Sequence, residues 1–182
     1  MSRVNLSTSC RKVDGLQAWI AALSLMFFCA GCAATQRIGT AVVTDSAGVP
    51  CFSVPKKWET GRGVPLFGIS VHEAKSVDWK SLPIEYWGVG FEPPGTSILL
   101  SPQSCIRYGD MPKNAVSEMG LAKPLEPYHV YSVTLNARPE GSSVAFYKSE
   151  FCITPDDGGK MVVRQVSVLQ SDVNRHAICA KP

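Results

Sequence analysis

The sequence predicts an all-β protein: an antiparallel β-sandwich of immunoglobulin-like shape, preceded by a cleaved lipoprotein signal peptide. Three observations predict it. Short runs of β-branched and aromatic residues recur along the chain between Pro/Gly-rich turns. No segment carries a sustained apolar period of 3.6 residues. The N-terminal residues have the layout of an export signal.

The chain opens with Arg3, Arg11 and Lys12, opposed only by Asp14. Leu16 to Phe28 is nearly all apolar, a length that suits a signal and is short of the roughly 20 residues of a membrane-spanning helix. The segment closes on Cys29-Ala30-Gly31-Cys32, which resembles the bacterial lipobox, with Cys29 where Leu is usual. The resemblance implies that residues 1–31 are removed and that Cys32 becomes the acylated first residue. A plain signal peptide or a short membrane anchor is the alternative. Ala33, rather than Asp, follows Cys32, which resembles the sorting pattern for the outer membrane. The expected location is the inner leaflet of that membrane, facing the periplasm. Three acyl chains would anchor the protein stably, where one would not.

Of 182 residues, 151 remain after residue 31, enough for one domain. Removal takes three of 18 basic and one of 15 acidic residues, so the mature charge is 15 minus 14, or +1. That balance offers no basic patch for nucleic acid. Residues 32–40 are expected as a lipidated tether and 41–182 as the β-sandwich domain.

Cys51, Cys105, Cys152 and Cys179 are left as disulfide candidates. An even number in an oxidising compartment implies two bonds, and three connectivities are open. The pairing expected is Cys105–Cys152 with Cys51–Cys179, the second tying the first strand to the C-terminal tail. A four-cysteine zinc site has no C-x-x-C spacing to support it, and no metal or cofactor is expected.

Strands are predicted in order. Thr40 to Thr44 is short and β-rich. Val49 to Val54 carries Pro50 near its start, which suits an edge. Leu66 to Val71 alternates, placing Phe67, Ile69 and Val71 on one face. Ile84 to Phe91 contains Gly88 and Gly90, signs of a bulge or of close packing. Ser97 to Leu100 and Cys105 to Tyr108 flank Pro102. After Pro127 comes the clearest strand, with Tyr131, Val133, Leu135 and Ala137 on one face and Ser132, Thr134 and Asn136 on the other. Arg138 to Gly141 is a turn. Val144 to Ile153 sets Val144, Phe146, Lys148 and Glu150 against Ala145, Tyr147, Ser149 and Phe151. Pro155 to Gly159 is a hairpin connection, and Met161 to Leu169 closes the set with Val162, Val166 and Val168 on one side. The best helix candidate is Lys113 to Met119.

Chemistry-bearing motifs are scarce. The chain has no G-x-S-x-G elbow, no H-E-x-x-H and no phosphate-cradling Gly-rich loop. His72, His129 and His176 read as structural or surface residues rather than general bases. Asp156-Asp157-Gly158-Gly159 lacks the spaced ligands of a calcium loop, and turn chemistry explains it. No catalytic residue is expected. Trp58 and Trp79 lie in loop-like stretches flanked by charge. They are either anchors folded onto the domain or binding hot spots, and they are the partner-binding candidates.

Three segments form an ordered series: Cys105-Ile106-Arg107-Tyr108-Gly109, then Leu125 to Val133, then Phe146 to Ile153. The series resembles the periplasmic lipoproteins of the type VI secretion immunity family. In that family a lipobox precedes a Cys-containing strand, a Cys-x-x-Tyr-Gly-like segment, a Pro/Gly turn into a Tyr-x-Val strand, and a Phe-Cys strand. Here Pro127-Tyr128 stands for the commoner Pro-Gly. The resemblance implies a non-enzymatic inhibitor that binds a cognate effector, with a phospholipase or a cell-wall hydrolase suiting a periplasmic target. An assembly lipoprotein of the envelope and a small-molecule or glycan-binding module are the other readings.

Overall fold

The computed structural model describes residues 37–56, 63–74, 83–91, 97–117, 120–166 and 177–181. The signal segment, Cys32, Trp58, Trp79, Val168 and His176 lie outside them.

The described residues form eleven strands in two sheets, with one helical turn at 177–179. The strands are β1 (Arg37–Thr40), β2 (Val42–Ser46), β3 (Val49–Ser53), β4 (Val64–Glu73), β5 (Glu85–Phe91), β6 (Ile98–Leu100), β7 (Ile106–Arg107), β8 (Ala115–Ser117), β9 (Tyr131–Ala137), β10 (Val144–Pro155) and β11 (Met161–Val166). The larger sheet runs β1-β10-β9-β4-β5-β8; β11 shares the β1 edge of β10, and β6 pairs with β4. The smaller sheet runs β2-β3-β7. All-β is therefore correct. The sheets are not purely antiparallel, because β1 pairs parallel to β10.

The core lies between the sheets. Phe52 of β3 reaches across to Trp87 of β5 and Phe151 of β10, at ring separations of 6.3 and 5.4 Å. From β9, Tyr131, Val133, Leu135 and Ala137 are all fully buried, as alternation predicts. On β10 the inward set is Tyr147, Ser149 and Phe151, while Lys148 is exposed.

Strand β4 departs from simple alternation. Its pairing with β9 slips between Leu66 and Gly68, leaving Phe67 as the extra residue. Leu66 is then the inward side chain, and Phe67, expected on one face with Ile69 and Val71, is 44% exposed while those two are buried. A second slip sits where Val71–His72 of β4 meets Trp87–Glu85 of β5, so Tyr86, not a glycine, is the extra residue there. Close packing is seen opposite them, since a Cβ on Gly68 of β4 would meet the Val89 carbonyl oxygen at 3.3 Å and the Gly90 Cα at 3.8 Å.

Two further expectations are corrected. Ala115–Ser117 is a strand on the β5 edge, not a helix. Arg37–Thr40, expected as the end of the tether, is β1 and lies along β10, so the strand-forming chain starts sooner than predicted.

After β1 the chain changes sheets. Gln165 of β11 bridges the break: its amide oxygen accepts from the Val43 N–H, and its amide nitrogen donates to the Ala41 carbonyl and to Ser149 Oγ. A side chain thus completes a ladder that the backbone leaves open. Strands β2 and β3 join through a two-residue turn with Ala47 and Gly48 both at positive φ (55° and 84°), the geometry that matches hairpin twist. Asp45 holds the turn by accepting from Gly48 N–H, and also from Val163 N–H. In the β10–β11 turn, Asp156 Oδ1 accepts from the N–H groups of Gly158 and Lys160. The Asp-Asp-Gly-Gly run is a turn, as read.

Candidate functional site

The four cysteines form two disulfides, paired differently from the expected way. The bonds are Cys51–Cys105 and Cys152–Cys179, with Cα separations of 5.4 and 6.0 Å. The reason lies in the sheets. Arg107 of β7 is the register partner of Cys51, which brings Cys105 beside that strand in the smaller sheet. Cys152 follows inward-facing Phe151 and so points out of the opposite face of the larger sheet. There it packs with Val166 and Cys179, apart from the main core. Neither Cys105–Cys152 nor Cys51–Cys179 can form without crossing a sheet.

At one end of the domain several connections converge: the β2–β3 turn, the residues after β7, the 121–130 segment and the end of β10. They enclose a cleft of about 390 Å³ lined by Gly48, Val49, Pro50, Tyr108, Gly109, Ala122, Lys123, Pro124, Leu125 and Ile153. The 121–130 segment has no regular secondary structure, yet its backbone is pinned. Lys123 N–H donates to the Tyr86 carbonyl, Tyr128 N–H to the Ile153 carbonyl, and Ala74 N–H to the Val130 carbonyl. Tyr131, at the start of β9, locks the segment from below: its hydroxyl accepts from Glu126 N–H at 2.8 Å and lies 3.4 Å from the Glu126 carbonyl. Tyr128 takes a positive φ of 65°, so the Pro127–Tyr128 turn adopts the conformation that glycine favours without using glycine.

The two polar side chains of the cleft both bond to backbone carbonyls. Tyr108 Oη lies 2.7 Å from the Lys123 carbonyl and 3.2 Å from the Tyr86 carbonyl. Lys123 Nζ donates to the Glu85 carbonyl at 2.8 Å and lies 5.8 Å from the centre of the Tyr86 ring. What the cleft presents is apolar surface and backbone. Beside it Leu121 is 94% exposed, and Met111, two residues past Gly109, is 52% exposed.

Comparison with protein-family models, with curated proteins and with solved structures found no match.

Among the sequence candidates, the four cysteines fall within the described residues and the partner-binding pair Trp58 and Trp79 does not. His72 lies on the outer face of β4, its Nδ1 buried without a partner among the described residues. His129 Nε2 is 3.4 Å from Glu126 Oε2, both side chains well exposed. No group of three or more metal-ligating side chains comes together among the described residues. The cleft itself was missed by residue-type reasoning. The signal was present in a different form: all three segments of the ordered series reach the cleft, through Tyr108 and Gly109, through Leu125, and through Ile153.

Burial raises the pKa of Tyr108 well above its ordinary 10, and neighbouring Tyr131 and Tyr86 add to the rise. Burial likewise pushes Tyr131 and Tyr147 up to about 12. A folded-state pKa above the unfolded one makes neutral tyrosine a stabilising species below pH 10, and that contribution is lost as pH climbs through the folded values. Stability should hold on the neutral side of pH 10 and fall steeply between about 10 and 12. Phenolate absorbance and circular dichroism, followed together, test this. Ionisation of all tyrosines well before loss of β-structure would contradict it.

Proposed function

We propose that this protein is a lipid-anchored immunity protein that binds and neutralises a type VI secretion effector on the periplasmic side of the outer membrane. Two disulfides in one small domain fit an oxidising compartment, and the lipobox-like Cys29 to Cys32 fits export with acylation. An immunoglobulin-like sandwich is the architecture that suits the scaffold. The order β1-β10-β9-β4-β5, the parallel β1–β10 pair and the Tyr131 hydroxyl bonded back to Glu126 all favour it.

The observation that carries the binding reading is the cleft, with its two polar side chains turned to backbone carbonyls, and the exposed Leu121 beside it. Sugar recognition draws on side-chain donors and acceptors, and here the Tyr108 O–H and one of the three Lys123 N–H donors are committed to backbone carbonyls. An apolar cleft flanked by exposed aliphatic side chains suits an anchoring side chain of a protein partner.

The reading requires that a neighbouring gene encode the effector, and that effector is the probe. Cells producing the full chain should survive periplasmic delivery of that effector. The double variant Leu121→Asp/Pro124→Arg, at two exposed positions, should bind it at least about tenfold more weakly, the 1.4 kcal/mol scale of an interface residue. Absence of protection by the unaltered chain would sink the reading.

A further inference from the structure

We propose that the domain stands on the bilayer by the end of the larger sheet where β1 begins, through a patch of Ile38, Phe67, Leu99, Arg37 and Arg138. This rests on the acylation of Cys32 proposed above.

The tether is too short for free tumbling. Five peptide units separate Cys32 from Arg37, a reach of at most about 18 Å when fully extended. Arg37 is fixed to the domain, since its N–H donates to the Ser143 carbonyl and β1 then follows β10. Whichever surface surrounds Arg37 is therefore held at the headgroups.

That surface has the composition of a membrane-resting patch. Register places Ile38 beside Phe146, Phe146 beside Asn136, and Asn136 beside Gly68, in one row across the outer face. The bulge in β4 turns Phe67 onto the same face, where it lines a cleft of about 260 Å³ with Asn136 and Arg138. Leu99 extends the patch through its pairing with Pro65, whose carbonyl accepts from Arg138 N–H. Ile38 is 61% exposed and Leu99 55%. Arg37 and Arg138 are exposed and form no ion pair with another described residue. Glu140 is the acidic side chain on the adjoining turn.

Apolar side chains interleaved with guanidinium groups suit the interface, where the former enter the headgroup layer and the latter meet lipid phosphates. Asn136 Oδ1 is buried in the small cleft without a donor among the described residues. The opposite end of the sheet carries Glu73, Glu85, Glu126, Asp156 and Asp157 against Lys123 and Lys160, an acidic excess that an anionic surface repels. Ile153, in the partner-binding cleft, is nine residues along β10 from Val144, about 30 Å at the rise of an extended strand. The patch-down orientation thus presents that cleft to the periplasm.

The experiment uses the full chain, produced in a Gram-negative host with an alkyne-bearing fatty acid and purified into vesicles of phosphatidylethanolamine and phosphatidylglycerol. Photoreactive benzoylphenylalanine replaces Leu99 in one sample and Leu121 in another. With the fatty-acid label present, Leu99→benzoylphenylalanine should yield at least about tenfold more lipid adduct than the Leu121 substitution, and Arg37→Glu/Arg138→Glu should cut that yield severalfold. Equal or reversed yields on labelled protein overturn the orientation. Absence of the label, or its persistence in Cys32→Ala, overturns the acylation reading instead, and the label reports this separately from the adduct.

Discussion

Replacing Cys51 and Cys105 together by alanine should lower the unfolding free energy by about 4 kcal/mol, and replacing Cys152 and Cys179 by about 3.5 kcal/mol. The difference follows from loop length. The first bond closes a separation of 54 residues and the second one of 27. In the chain-entropy view, the longer loop removes more freedom from the unfolded ensemble. The two losses should differ in kind as well. Cys51 and Cys105 hold the small sheet, whose strands β3 and β7 share only two residue pairs, so their loss loosens one wall of the core and of the cleft. Cys152 and Cys179 pin the 177–179 turn over Val166 and Val130, away from the main core. Their loss should leave binding at the cleft, as proposed for the effector, intact. Urea midpoints for the two double variants, measured beside partner affinity, separate these effects. If both pairs disturbed binding equally, the division of labour between the two bonds would be wrong.

The legible parts of the fold were those in which one side of a strand meets the core and the other meets water. Strand β9 is the clearest case, because the Tyr131 to Ala137 alternation is reproduced residue by residue in its burial. The same rule failed at Phe67, since a bulge inserts one residue without any sign in the composition of the strand. It failed again at Lys113 to Met119, where a three-residue edge strand is too short for any period to register. Disulfide pairing was illegible for another reason. It depends on which sheet each strand joins and which face each cysteine takes, and both are long-range properties. Cys152 shows this well: its immediate neighbour Phe151 is in the main core, while Cys152 belongs to a separate cluster. The cleft was partly legible. Its wall segments stood out as a series, but the spending of Tyr108 and Lys123 on backbone carbonyls, which makes its chemistry apolar, depends on contacts 15 to 38 residues apart.

Phe52→Ala should be the most damaging single substitution in the core, lowering stability by about 3–5 kcal/mol. Phe52 is fully buried in β3, a strand paired to β2 and to the two-residue β7. It is the ring through which the smaller sheet reaches Trp87 and Phe151 of the larger one. Truncation leaves a cavity between two sheets that cannot close on it easily. The Cys51–Cys105 bond holds β3 on one side, and Gln165 and Asp45 fix β2 against β11 on the other. A constrained site relaxes little, so the loss should sit at the upper end of the range. Phe52→Leu, which keeps most of the volume, should lose much less. Thermal and urea unfolding of both variants provide the measurement. A loss below about 1.5 kcal/mol for Phe52→Ala would mean that the two sheets do not depend on this contact. A large loss with partner affinity intact would place the cleft on the rigid larger sheet, where the pinned 121–130 segment already ties it to Tyr86, Ile153 and Tyr131.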